Sequence, residues 1–221
     1  PKSMNTHLHI LEPFTNLYRV APSGELKKQI EKLIDLFCNQ IIDSETGHLR
    51  LFFSEDWIPS SKTVSFGHEI EASWLIHEAA HIVGNKELLE RFRNSTLRLT
   101  YNTLRYGFDY EKGGIYNELS QNHLDTSKDW WAQAEALVGF LDAFIIKSDE
   151  VFFDAFEQTW NNIKNDFIDH VNGEWHWRVD ENNRVDTSLP KVGFWKNWYH
   201  NSRALIESIE RLEQLKNTDD E

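Results

Sequence analysis

A single cysteine, Cys38, stands in 221 residues. No internal disulfide framework is available to such a chain, and a reducing, cytoplasmic setting is expected. Basic residues are outnumbered, 23 Lys and Arg against 36 Asp and Glu, for a formal net charge of −13. That balance excludes a broad basic face for a nucleic-acid backbone or an anionic membrane surface. No apolar run approaches the roughly 20 residues that span a bilayer. The opening residues lack the basic-then-apolar pattern of a secretory leader. Low-complexity tracts, clear repeats and a domain break are also missing, which leaves one core of ordinary size. Tryptophan, by contrast, is plentiful, with nine residues. Indole faces pack against flat sugar faces as readily as against a core.

Apolar spacing predicts helices near 5–20, 24–43, 68–83, 86–106, 128–146, 150–170 and 199–215. In the second, Leu26, Ile30, Leu33, Ile34, Phe37 and Ile41 recur at threes and fours, the period of one buried helical face. Gly84-Asn85 supplies a left-handed stop and then an N-cap residue, and Ser148-Asp149 repeats the arrangement. Short extended pieces are expected at 49–53, 114–118 and 175–180. Two helices and an extended loop, repeated, predict an all-α toroid of helical hairpins. The third and fifth helices are rich in small residues (Ala72, Ala79, Ala80; Ala132, Ala134, Ala136, Gly139) and suit an inner ring. The second, fourth and sixth carry more charge and suit an outer one.

Polar constellations fall near the N-terminal ends of the odd-numbered helices, where the backbone favours developing negative charge. His68 and Glu71 share a face at i,i+3, and Asn5 and His9 share one at i,i+4. Trp131 and Glu135 repeat the i,i+4 spacing beside Trp130. His200 follows Trp195 by five residues and precedes Asn201 and Arg203. Each alone reads as a cap or a core contact; four on alternate helices predict one rim. Two imidazoles, the side chains that titrate nearest neutral pH, set among aromatic faces suit proton transfer on a sugar. His77-Glu78-Ala79-Ala80-His81 matches the zinc-protease pattern H-E-x-x-H. His77 lies nine positions after His68, half a revolution at about 100° per residue. No third-ligand motif follows, so this pair is expected to face away from the site, with no metal.

Residues 2–9 (KSMNTHLH), 65–74 (SFGHEIEASW), 130–139 (WWAQAEALVG) and 195–203 (WKNWYHNSR) resemble the cellobiose 2-epimerases of the N-acylglucosamine 2-epimerase family. The resemblance spans nearly the whole chain. It implies an (α/α)6 barrel and cofactor-free inversion at C2 of a reducing-end sugar, here the glucose of a β-1,4-linked disaccharide. It implies His68 and His200 as the acid/base pair, with Glu71 assisting ring opening and holding an imidazole. Asn5, His9, Trp130, Trp131, Glu135 and Trp195 would contact the sugar. Trp198 departs from the proline common in the family, and Pro13 interrupts the first helix. The family chain is roughly twice as long, so residues 1–221 correspond to the C-terminal half of one barrel domain. Such a half is expected to be open, of about seven helices, prone to self-association and nearly inactive alone. Mannose isomerase and N-acylglucosamine 2-epimerase activities are the near alternatives. A glycoside hydrolase using Glu71 and Glu135, or a non-catalytic sugar-binding module, are the distant ones.

Overall fold

The computed structural model describes residues 1–219. Seven α-helices carry the fold: α1 Met4–Val20, α2 Gly24–Leu36, α3 Phe66–Ile82, α4 Lys86–Asn102, α5 Trp130–Lys147, α6 Glu150–Asn162 and α7 Tyr199–Asp219. Helices α3 and α5 are buried almost all round, and α2, α4 and α6 only along one stripe. The inner helices pack in the order α1, α3, α5, α7, each against the next, and α2, α4 and α6 lie outside them. Small residues permit the close approach. A Cβ on Gly139 would stand 2.5 Å from Ile70 Cγ1, and one on Gly67 2.5 Å from Trp131 Cη2. These are the paired layers expected of an (α/α)6 barrel.

Each complete hairpin ties its own inner helix at the start. Strand β1 (Lys2–Ser3) pairs with β2 (Phe52–Phe53). Strand β3 (Val64–Ser65) pairs with β4 (Glu118–Ser120), which pairs with β5 (His123–Asp125). Strand β6 (Lys128–Asp129) pairs with β7 (Arg178–Val179). All the pairings are antiparallel. The first helical N–H groups then find loop carbonyls: Met4 donates to Leu51 at 2.9 Å, Phe66 to Asn117 at 3.3 Å and Trp130 to Trp177 at 3.0 Å. These bonds satisfy donors that a helix N-terminus otherwise leaves unpaired.

The outer helices were expected to run unbroken to 43, 106 and 170. They instead widen into π turns at Phe37–Ile41, Thr103–Gly107 and Ile163–Phe167. An aspartate follows each turn. Asp43, Asp109 and Asp169 each accept two backbone N–H groups through Oδ1, and four residues on come Gly47, Gly113 and Gly173 at φ 75–76°. The left-handed turn explains the glycine. This Asp-x-x-x-Gly repeat corrects the expectation that clear repeats are absent; two fixed residues per unit are too sparse to notice unaided.

Helix α1 continues through Pro13, whose missing N–H leaves the His9 carbonyl without its helical donor. Leu17 and Val20 on α1 and Ile206 and Ile209 on α7 are exposed apolar positions. Among the described residues α7 has no outer partner, and no helix is long and apolar enough to cross a membrane.

Candidate active site

Capping residues mark where the frame gives way to the site. Ser23, Asn85 and Asp149 cap the outer helices through the N–H groups of Leu26, Leu88 and Val151. Ser65 and Asp129 occupy the same position before α3 and α5 but make no such bond. Ser65 Oγ lies 2.8 Å from His68 Nδ1, and Asp129 receives Arg178 at 2.6 and 3.0 Å. One cap orients an imidazole and the other pins strand β7 through Arg178.

A cavity of about 520 Å³ opens at these helix starts. It is lined by Asn5 and His9 from α1, His68 and Glu71 from α3, Asp129, Trp130 and Trp131 around the start of α5, and Tyr199 and His200 from α7. Trp177, Phe194, Trp195 and Asn197 complete its rim. The Trp131 ring contacts both imidazoles, its centroid 4.7 Å from His68 and 5.7 Å from His200. Eight of the nine residues singled out in the sequence therefore meet in one cavity. Glu135 does not line it: the carboxylate is fully buried beneath, where it accepts from Trp74 Nε1 at 3.0 Å and meets His200 Nδ1 at 2.6 Å. The expected sugar contact gives way to a supporting position, because Glu135 lies one helical turn further in than Trp131.

The electrostatics separate the two histidines. Burial pushes His68 down to about 4, helped by His9 and His200, so its imidazole is neutral near pH 7. His200 has a carboxylate at its back. Burial raises Glu71, and the charge of Glu135 raises it further. Burial alone would raise Glu135 as well, but Arg203 and His200 outweigh it and hold that carboxylate ionised. The two buried carboxylates are thus driven in opposite directions, Glu71 upward and Glu135 downward, so that negative charge favours Glu135.

Arg203, quoted in the sequence only as a neighbour, is the hub. Nη2 donates to Glu71 Oε1 at 3.0 Å and Glu135 Oε1 at 2.6 Å, and Nη1 to Glu12 Oε1 and the Tyr199 hydroxyl, both at 2.5 Å. Its signal was helical spacing: Tyr199 and Arg203 are i,i+4, and His200 lies three before Arg203. Glu12, three after His9, was missed in the same way. Glu71, Glu135 and His200 offer ligand atoms within 4.8 Å of one another, as a metal site would. The guanidinium already supplies the cation there. Glu71 and Glu135 likewise grip one nitrogen from below, not a sugar from two sides as a hydrolase pair does.

The H-E-x-x-H residues lie elsewhere. His77 and His81 line a separate cavity of about 260 Å³ towards the C-terminal ends of the inner helices. There His77 pairs with Asp142 at 3.0 Å and Glu78 with Arg19 at 2.6 Å.

The model of the N-acylglucosamine 2-epimerase family matches residues 1–204. The chain belongs to the N-acylglucosamine 2-epimerase family. It is 41% identical over 209 residues to a cellobiose 2-epimerase of Bacteroides fragilis, covering 94% of this chain and 53% of the relative. A cellobiose 2-epimerase of Dictyoglomus turgidum is 41% identical over 212 residues, covering 96% and 54%. The solved cellobiose 2-epimerase from Bacillus thermoamylovorans superposes with a TM-score of 0.90 at 38% identity, over 95% of this chain and 53% of that one. A D-mannose isomerase structure, at 19% identity and a TM-score of 0.82, shares the fold. The chain spans about half the length of the curated family members it matches.

Proposed function

We propose that the protein carrying this chain inverts C2 of the reducing-end glucose of a β-1,4-linked disaccharide, converting cellobiose to glucosyl-mannose. The supporting observation is the pair of imidazoles that line one cavity and both contact Trp131, one neutral and one backed by a carboxylate. Glu71 assists opening of the sugar ring to the aldehyde: the C1–O5 bond breaks, the anomeric hydroxyl gives up its proton and the ring oxygen takes one up, with no net change in protons. Neutral His68 then removes the C2 proton, which the adjacent carbonyl makes acidic, and an enediolate forms. Rotation about C2–C3 turns the other face towards His200, whose Nδ1 is hydrogen-bonded to Glu135 at 2.6 Å and which returns a proton to C2. The opposite direction exchanges the roles. Hydrogen-bond donors around the cavity stabilise the enediolate oxygen, and Trp131 carries the sugar face. We further propose that residues 1–221 form the C-terminal half of a single barrel domain, so that part of the cavity wall lies outside them.

Proton NMR of cellobiose in D2O tests the reading. The complete protein is expected to place deuterium at C2 of an epimeric product. His68→Ala and His200→Ala are each expected to lower turnover by at least about 100-fold with the fold retained. Either variant keeping most of its turnover refutes the two-base scheme.

A further inference from the structure

Glu12 touches none of the groups assigned a proton above, yet it is the point where α1 meets α7. Its side chain is 11% exposed. Oε1 accepts Arg203 Nη1 at 2.5 Å, Oε2 accepts the Tyr199 hydroxyl, and Oε2 stands 3.6 Å from His9 Nδ1. Its position follows from sequence spacing, since His9 and Glu12 are i,i+3 on α1 and Tyr199 and Arg203 are i,i+4 on α7. His9 lines the sugar cavity, with its ring centroid 6.4 Å from that of Tyr199.

We propose that Glu12 is a positioning residue: its carboxylate joins His9 on α1 to Tyr199 and Arg203 on α7, and so presents His9 to the sugar as a cationic hydrogen-bond donor. The choice of sugar as ligand rests on the epimerase reading. A cationic donor is worth most beside an oxygen that gains negative charge during reaction, as the sugar oxygens do on ring opening and enediolate formation. The groups facing His9 are Glu12 from α1, Glu71 and His68 from α3, and Arg203 and Tyr199 from α7. His68 is neutral, and of the two carboxylates Glu12 makes the larger upward contribution to the pKa of His9, from 3.6 Å. Glu71 adds to the rise, with burial and Arg203 opposing. Glu12 itself is held down at about 2, where His9, Arg203 and Tyr199 together overcome its burial.

Two variants of the complete protein decide the matter: Glu12→Gln, which keeps the shape and removes the charge, and Glu12→Asp, which keeps the charge. In Glu12→Gln, the NMR titration of 15N-labelled His9 is expected to move to lower pH. kcat/KM for C2 exchange should fall about 10-fold or more at pH 8 and less than about 3-fold at pH 6. Glu12→Asp should restore most of both. An unmoved His9 titration overturns the proposal. So does an equal loss at both pH values accompanied by a lower Tm, which marks a structural brace only. If the unsubstituted protein exchanges no deuterium into any sugar, the epimerase reading falls; the His9 titration then decides the role of Glu12 by itself.

Discussion

His68 shows what the cavity asks of a single side chain. Its folded value, about 4, lies below the ordinary 6.5, so the unfolded chain binds the extra proton between those two values. The associated stability is complete above pH 6.5 and is lost as pH falls towards 4, a difference of about 3 kcal/mol. His68→Gln is therefore expected to flatten the fall in Tm between pH 6.5 and 4, as read by calorimetry; an unchanged slope would mean that another group dominates. The sequence revealed His68 and His200 because histidines near helix starts are conspicuous. It did not reveal what each leans on. Ser65 and Glu135 were legible as residues, but a capping position and an i,i+4 spacing do not say which way a side chain turns. Arg203 and Glu12 were hidden for a related reason, since their partners are 132 and 191 positions away in the chain.

At the level of elements, periodicity located all seven helices, because burial of one stripe or of every side leaves a pattern in the residues themselves. The extended pieces expected at 49–53, 114–118 and 175–180 meet β2, β4 and β7, but the π turns and the strands that precede the inner helices left no pattern. These depend on a single hydrogen bond or on a partner some 50 residues later, and those are properties of the assembled hairpin. The packing of α3 on α5 offers a check at this scale. Alanine in place of Gly67 would ordinarily favour a helix by about 1 kcal/mol. Here its Cβ would meet Trp131 Cη2 at 2.5 Å and Ala132 Cβ at 2.9 Å. Gly67→Ala should therefore displace the indole and weaken cellobiose binding by about 10-fold or more in calorimetry, while secondary structure by circular dichroism is kept. Unchanged affinity would show that Trp131 does not carry the sugar.

For the whole molecule, the inner arc of α1, α3, α5 and α7 leaves two flanks bare. Val20 is 81% exposed, and Ile206 and Ile209 are each 56% exposed. Surfaces of this kind mark an interface or an association hazard. The 221 residues purified by themselves are expected to scatter light as species larger than the 26.1 kDa monomer, and Val20→Lys with Ile209→Lys should return them towards it. A unsubstituted chain that stays monomeric at micromolar concentration would show these flanks to be harmless.

The two proton carriers are mounted unequally. His68 rises from a helix start that its own hairpin secures by strand pairing and a backbone bond. His200 rises from α7, whose approach after the backbone bond of Asp186 to Arg178 is held to the hairpin by side chains: Lys191 to Asp169, Lys196 to Glu174 at 2.8 Å and Asn201 to Glu174 at 2.9 Å. Side-chain moorings release one at a time, whereas a backbone ladder yields together. The α7 jaw of the cleft is consequently expected to open at lower cost than the α3 jaw, which faster amide exchange at residues 195–200 than at 66–70 would bear out.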